Sequence, residues 1–440
     1  MYVSTFFLIF AVMVFFLGID SAIGFVSDFL VEQNTSPFGI SLFVSISAIF
    51  VLGSFKLFHF ITKATSGIRG NSTRLRILHT TSFFTLLMLT ALLLLLLVQI
   101  TLFSEYDLLL LKATAVISPA SAAGVMVISS LLLISWYRFN RNAYVVLIFA
   151  IAFSINVYTL IYTMMVSIYN LDEKGEIITP QSKVAYSSDT YEPGSMRRIL
   201  SDIYRFSATA IFVLLLAASA IMLRHYTRKI GQAKFWTLVL LPSIYSITIL
   251  VDRLGFYSPE SESELFNYYV YSSLNGVIGG ILLGFLFWSI SRSMRPNRSV
   301  RNYLLLCSFG FILLPIAWAG QVSVAAYPPF GFAAFAMLTL SSHTIILGLY
   351  SAASSISQDI RLRQYIKELT KQDSSFLAAI GHAELERQIQ SKASDLENVV
   401  KEERMELEEK SGVASSLQQQ DIKQYLLEVL QEVDKHKAQR

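Results

Sequence analysis

The chain has 440 residues, of which 54% are hydrophobic and 15% are charged, and its mean hydropathy is +0.53. This composition excludes a soluble globular domain and is typical of a polytopic membrane protein. The formal net charge is +4, but residues 1–350 carry 22 basic and 15 acidic groups whereas residues 351–440 carry 13 and 16. The basic excess therefore belongs to the loops of the membrane part, where it faces anionic lipid, and does not indicate nucleic-acid binding.

Ten apolar runs approach or reach the length that a helix needs to cross about 30 Å of hydrocarbon, at about 1.5 Å per residue. They lie at 2–22, 37–60, 79–103, 115–136, 143–168, 206–223, 235–251, 270–290, 303–321 and 331–351. The predicted fold class is therefore all-α, with a polytopic transmembrane bundle at 1–351 and a cytoplasmic helical tail at 352–440. If the first run, which almost nothing precedes, is not a span, nine spans remain and the N-terminus lies outside.

Charge alternates strictly between the gaps that separate these runs. Four gaps contain Lys and Arg but no Asp or Glu, at 62–76, 138–141, 224–234 and 291–302. The positive-inside rule places these four gaps, and with them both chain termini, on the cytoplasmic side of the cell membrane. All fifteen acidic residues of the first 350 are assigned to the other gaps, Asp20 among them because it lies at the end of the first run, next to such a gap. We infer that no carboxylate remains in the bilayer to couple a proton or a cation, which argues against an ion-coupled transporter.

A few polar side chains interrupt the apolar runs and form the candidate intramembrane site. They are His343, Asn275, Asn156 and Gln99, and His343 is the one ionisable group well inside a run. An interhelical hydrogen bond is the ordinary explanation for each of them. The functional alternatives are a proton relay for His343 and the lining of a small polar cavity for the other three.

Glycines recur every four residues in the eighth run, at Gly276, Gly280 and Gly284. This spacing places them on one helix face and predicts close packing against another helix, which is a structural role. The single cysteine, Cys307, excludes an intramolecular disulfide and a cysteine metal cluster. The sequence contains no recognised catalytic motif, so we predict no enzyme activity and name no catalytic residue, metal or cofactor.

The tail becomes charged after Ser355 and keeps apolar residues at three- and four-residue steps. Ile360, Ile366, Leu369, Phe376 and Ile380 follow this pattern. The pattern predicts that the last run continues without a break into an amphipathic helix. Two arrangements of this helix are compatible with the irregular stripe: a short parallel homodimer stalk, or a helix folded against its own neighbour.

The segment SSISQDIRLRQYI, at 354–366, directly follows the last run. It resembles the juxtamembrane stretch of uncharacterised multi-pass membrane proteins from ammonia-oxidising archaea, and the similarity extends through Gly381. The resemblance implies a protein of the cell membrane, of sensory type, and it brings no defined activity.

Three functions follow from these observations. The leading hypothesis is a receptor or sensor whose last span relays a signal, through an unbroken helix from His343 to Ile366, to a dimer partner or a cytosolic signalling protein. The second is a transporter or channel for an uncharged or lipophilic solute. The third is a scaffold that organises other membrane proteins.

Overall fold

Long α-helices make up most of the part of the chain that the computed structural model describes. The structure describes residues 2–27, 30–69, 73–141, 143–172, 176–180, 196–224, 227, 231–253, 262–294, 298–320, 325–359 and 376–390. Their elements are α1 (Tyr2–Phe25), α2 (Val31–Thr35), α3 (Pro37–Arg69), α4 (Thr73–Phe103), β1 (Tyr106–Asp107), α5 (Leu108–Phe139), α6 (Tyr144–Asp172), β2 (Ile177–Ile178), α7 (Met196–Arg224), α8 (Gln232–Arg253), α9 (Glu262–Ser293), α10 (Arg298–Ala319), α11 (Phe332–Gln358) and α12 (residues 376–390).

Each predicted span overlaps one of the long helices α1 and α3 to α11. Within the described residues, eight helices are long and apolar enough to cross a membrane: α1, α3 to α7, α10 and α11. Helix α9 contributes a shorter apolar stretch, Val277–Arg292. The all-α polytopic fold class is confirmed, and the chain is a helical membrane protein. The count of ten spans stays a prediction because α8 and α9 are not among the eight.

The two ends of the bundle differ in charge. The gaps that carry only Lys and Arg join α3 to α4, α5 to α6, α7 to α8 and α9 to α10, and we call this the basic end. Contacts within it include Thr62 with His79, and Ser291 Oγ, which donates to the carbonyl of Arg301 at 3.0 Å. The opposite end, where α1 and α4 finish and α3, α5 and α11 begin, is the acidic end.

Local sequence sets where two of the helices start at the acidic end. Helix α3 begins at Pro37, whose missing N–H costs nothing in the first turn, and Ser36 Oγ accepts a hydrogen bond from Gly39 N at 3.1 Å. Helix α5 begins after Asp107, whose Oδ1 accepts from Leu109 N at 2.8 Å. Both starts follow the ordinary chemistry of helix N-caps.

A two-stranded sheet and a stacked tyrosine pair, Tyr106 and Tyr327, lie beside these caps at the acidic end, and we call them the tyrosine clasp. Strand β1 pairs antiparallel with β2, with Tyr106 opposite Ile178. The buried Tyr106 hydroxyl donates to the Ala326 carbonyl at 2.7 Å, and its ring stacks on Tyr327. Burial, and secondly the charge of Tyr327, raise the pKa of Tyr106 well above its ordinary value. The phenol therefore stays protonated and keeps donating through the neutral range.

The prediction of an unbroken helix from the last span into the tail is wrong. Helix α11 ends at Gln358, and the following residue, Asp359, has an extended backbone with φ −115° and ψ 107°. Helix α12 then packs against the basic end of the chain's own bundle. The described part of the tail thus follows the second predicted arrangement, a helix folded against its neighbour. Leu369, proposed for the dimer stalk, lies outside the described residues.

Two glycines allow α9 and α10 to approach closely. A Cβ placed on Gly280 would lie 2.5 Å from the Ile312 carbonyl oxygen, and one on Gly284 would collide with the Ile312 side chain. Ser308 Oγ uses this proximity to donate to the Gly284 carbonyl at 2.7 Å. Gly276 lies in α9, but the surroundings of its α-carbon are outside the described residues.

Replacing Gly280 with leucine should destabilise the bundle through overpacking. We expect Gly280→Leu to lower the free energy of unfolding by about 1–3 kcal/mol. Thermal unfolding in a mild detergent measures this loss. Gly124→Leu on α5 is the matched control, because a Cβ at Gly124 meets nothing within 4 Å. Equal effects of the two substitutions would contradict the packing role.

Candidate functional site on the central helix

Helix α11 is the central helix of the bundle. Every residue from Phe332 to Leu349 is buried, and α11 contacts α1, α3, α4, α5 and α10. Its polar side chains can therefore find partners only on neighbouring helices or on its own backbone, because neither water nor lipid reaches them. The candidate site is built from three groups of contacts along this helix: at its start, in its middle and near its end.

Asp20 of α1 caps the start of α11. Its two carboxylate oxygens accept hydrogen bonds from Gly331 N at 3.0 Å and Ala334 N at 2.8 Å. Gly331, the N-cap residue, has φ 92°, a conformation that favours glycine, and its side chain can offer no cap of its own. A carboxylate from another helix thus satisfies the orphan N–H groups and complements the helix dipole.

This position of Asp20 corrects the sequence prediction. Asp20 was assigned to an outer gap, and all acidic residues were taken to lie outside the bilayer. In the structure Asp20 is fully buried within the apolar stretch Phe6–Gly24. The argument that no carboxylate remains in the membrane part is therefore wrong.

One turn further along, hydroxyl groups join α11 to α5. Ser118 Oγ donates to the Phe335 carbonyl at 2.8 Å, and Thr339 Oγ1 donates to the Ser118 carbonyl at 3.1 Å. Ser121 Oγ donates to Thr339 Oγ1 at 2.8 Å. These three bonds fix the first two turns of α11 against α5.

Two histidines meet in the middle of α11. His343 is fully buried, and its Nδ1 lies 2.8 Å from Ser82 Oγ on α4. His79, one turn before Ser82, is 7% exposed, and its ring centroid lies 5.7 Å from that of His343. Phe58 of α3 stacks on His79 at 4.4 Å, and Thr62 Oγ1 lies 3.0 Å from His79 Nε2. We call these five residues the histidine cluster.

The other predicted polar residues do not join this cluster. Gln99 Oε1 accepts from Asp107 N at 3.0 Å, so it stabilises the turn at the acidic end. Asn156 is buried on α6, where Thr159 Oγ1 donates to its backbone carbonyl oxygen at 2.8 Å. Asn275 lies in α9, and its side chain is outside the described residues. The sequence thus named one member of the site, His343, and two residues with separate environments, Gln99 and Asn156.

Helix α12 docks near the end of α11 through a buried carboxylate. Glu384 is fully buried, and its Oε2 accepts from Trp136 Nε1 of α5 at 2.9 Å. Its Oε1 accepts from Arg387 at 3.0 Å and from Gln388 at 3.1 Å. The Arg387 guanidinium also lies over the ring of Tyr350 on α11, 5.8 Å from its centroid. The buried charge of Glu384 is therefore paired and hydrogen bonded.

Apolar contacts complete the docking of α12. Phe376 is 1% exposed and lies 5.3 Å from Phe149 of α6, centroid to centroid. Phe149 in turn contacts Phe287 and Phe311, so the tail helix extends the aromatic core of the bundle. Gly381 packs directly on Ile356 of α11, and a Cβ at this position would collide with it.

Sequence reasoning missed His79, Ser82 and Glu384, although each leaves a signal. His79 and Ser82 are spaced i, i+3, which places them on one face of α4. Glu384 follows Phe376 and Ile380 at four-residue steps, so it lies on the apolar face of α12, where an ordinary solvated glutamate does not occur.

The contacts along α11 are hydrogen bonds and ring contacts between helices. Among the described residues, no group of three or more His, Cys, Asp or Glu side chains could hold a metal ion. No family model, curated protein or solved structure matches the chain. The resemblance to archaeal membrane proteins therefore stays a prediction, and the geometry along α11 carries the functional argument.

The Asp20 cap should be essential for stability. Asp20→Asn replaces an acceptor of two N–H bonds with an amide whose NH2 group faces one of the two donors. We expect the free energy of unfolding to fall by about 1–3 kcal/mol. Asp172→Asn is the matched control, because Asp172 pairs with Lys112 at an exposed site worth about 0–1 kcal/mol. The role is disproved if both variants unfold at the same temperature in detergent.

Proposed function

We propose that the protein is a membrane sensor in which α11 relays a change in the bundle to the docked helix α12 on the cytoplasmic side. The observation that carries this proposal is the burial of Glu384 against Trp136. A fully buried carboxylate is stable only while its partners are in place, so docking has two discrete states rather than a continuous range.

Helix α11 is suited to transmit the change. It contacts α12 at Tyr350 and Ile356, within two turns of its end. The same rigid helix carries His343 and the N-terminal cap held by Asp20. A shift or rotation of α11 against α5 would move Tyr350 and Ile356 relative to Trp136 and so loosen α12.

Release of α12 would expose an apolar face. Phe376, Leu377, Ile380 and Ala383 are all buried in the docked state. Exposed in water, such a face binds another apolar surface. We expect that surface to belong to the tail of a second copy or to a cytosolic signalling protein.

Removing the indole N–H of Trp136 should release α12 while an aromatic ring still occupies the position of the indole. Trp136→Phe keeps an aromatic ring but leaves Glu384 without its α5 donor. A hydrogen bond to a charged group contributes about 1.5–3 kcal/mol, so we expect the undocked fraction to rise roughly tenfold or more. The measurement is the distance between spin labels at His382→Cys and Arg141→Cys, both exposed, in a Cys307→Ala background in nanodiscs.

The control is Trp288→Phe on α9, whose ring lies beneath the guanidinium of Arg292. It should leave the short docked distance unchanged. If Trp136→Phe and Glu384→Lys both keep a single short distance, α12 is a fixed structural element and the sensor proposal fails.

A transporter for an uncharged or lipophilic solute is the second candidate. It is favoured by buried hydroxyls on α11, since Ser342 Oγ and Ser351 Oγ have no hydrogen-bond partner among the described residues. Saturable solute uptake into proteoliposomes, with no change in α12 docking, would favour it over the sensor.

A further inference from the structure

The hydrogen bonds of the histidine cluster fix the protonation of one imidazole. Thr62 Oγ1 donates its single proton to the Phe58 carbonyl at 2.9 Å. It can therefore interact with His79 Nε2 only as an acceptor, so His79 carries a proton on Nε2. The neutral His79 then has its lone pair on Nδ1, which is where an additional proton would bind.

His343 is more completely buried than His79. Its Nδ1 faces Ser82, but its Nε2 has no hydrogen-bond partner among the described residues although it is fully buried. If His79 were already charged, a charge on His343 would be desolvated, and the two ring centroids would be only 5.7 Å apart. The pair therefore accommodates one added proton, and His79 is the better position for it.

Several features of His79 favour the charged form there. Phe58 stacks on its ring at 4.4 Å, an arrangement that stabilises an imidazolium through the aromatic face. Thr62 accepts from its Nε2–H, and His79 lies only three residues inside the apolar stretch Arg76–Phe103, near the basic end. A proton thus has a short path to His79 from that side.

The charges on the surrounding helices do not neutralise an added proton. Within the described parts of α3, α4 and α11 there is no Asp or Glu. Along α11, Asp20 binds Ala334, nine residues or about 13 Å from His343. In the other direction, Arg387, which pairs with Glu384, contacts Tyr350, seven residues or about 10 Å from His343. The other charged or titratable side chains that the structure describes on the packed helices are Lys56, His59 and Lys63 on α3, Arg76 on α4, Lys112, Tyr137 and Arg138 on α5, Arg301, Tyr303 and Cys307 on α10, Tyr350 on α11, and His382 and Glu386 on α12.

We propose that the histidine cluster is a proton-binding site, with His79 as the acceptor, whose occupancy sets the position of α11 against α3 and α4. A charge on His79 is drawn towards the headgroups and water at the nearby basic end, where it is better solvated than in the bundle. That movement displaces Ser82, one turn further along α4, and weakens its bond to His343. The consequence for α12, its release as the pH falls, rests on the sensor function proposed above.

The proton site itself is tested without reference to the tail. Solid-state NMR of the full chain in nanodiscs, with all six histidines 13C,15N-labelled, should show a proton-binding imidazole that substitution assigns to His79. We expect its signals to vanish in His79→Gln and to remain in His59→Gln, which removes an exposed histidine of α3. Ser82→Ala, which keeps both imidazoles, should change the tautomer signal of His343. The proposal is overturned if the buried pair gives no titrating signal.

The link to α12 is tested with the spin-label pair. One bound proton limits the change in the docked-to-undocked ratio to about tenfold per pH unit. We expect a pH-dependent shift in wild type and His59→Gln, and none in His79→Gln or His343→Gln. Titration of His79 with an unchanged label distance would overturn the coupling. If the distance then still responds to Trp136→Phe, the sensor function stands with a cue other than the proton.

Discussion

The burial of α11 from Phe332 to Leu349 is the constraint on which the rest of the structure depends. A helix segment that touches neither lipid nor water can satisfy its cap and its polar side chains only through neighbouring helices or its own backbone. Partners come from helices distant in sequence: Asp20 of α1 at its start, Ser118 of α5 in its first turns, Ser82 of α4 in its middle. Polar contacts to this one helix therefore specify which helices pack together as much as apolar packing does. In a bilayer, apolar packing alone discriminates poorly between possible neighbouring helices.

The fold class could be predicted because it depends on local sequence. Apolar runs must form helices in hydrocarbon, where each backbone group needs an internal partner. The end of α11 could not be predicted in the same way. Apolar periodicity continues past Gln358 to Ile360 and Ile366, and periodicity does not distinguish a continuing helix from one that ends and is followed by a docked segment. Burial of Phe376 against Phe149 and of Glu384 against Trp136 decides between them, and these are tertiary contacts.

The site was predictable where a residue is unusual by itself. His343 is such a case, since an ionisable group in mid-span has no local explanation. Asp20 was misplaced because a carboxylate near the end of an apolar run is ordinarily solvated, and its partners Gly331 and Ala334 are more than 300 residues away. Gln99 was overinterpreted for the opposite reason, because a turn eight residues away satisfies it.

The polar contacts that the structure describes are distributed unequally along α11. The first turns are fixed by the Asp20 carboxylate, by three hydroxyl bonds with α5 and by the adjacent tyrosine clasp. Beyond His343, the polar contacts that hold α11 to other elements include the weak Cys307–Ile345 bond, at 3.7 Å, and the Arg387–Tyr350 contact. Under the proposed sensor function, a perturbation at the histidine cluster would act beyond these first turns. Displacement of α11 is then expected to pivot about Gly331 and to be largest at Ile356, where α12 packs.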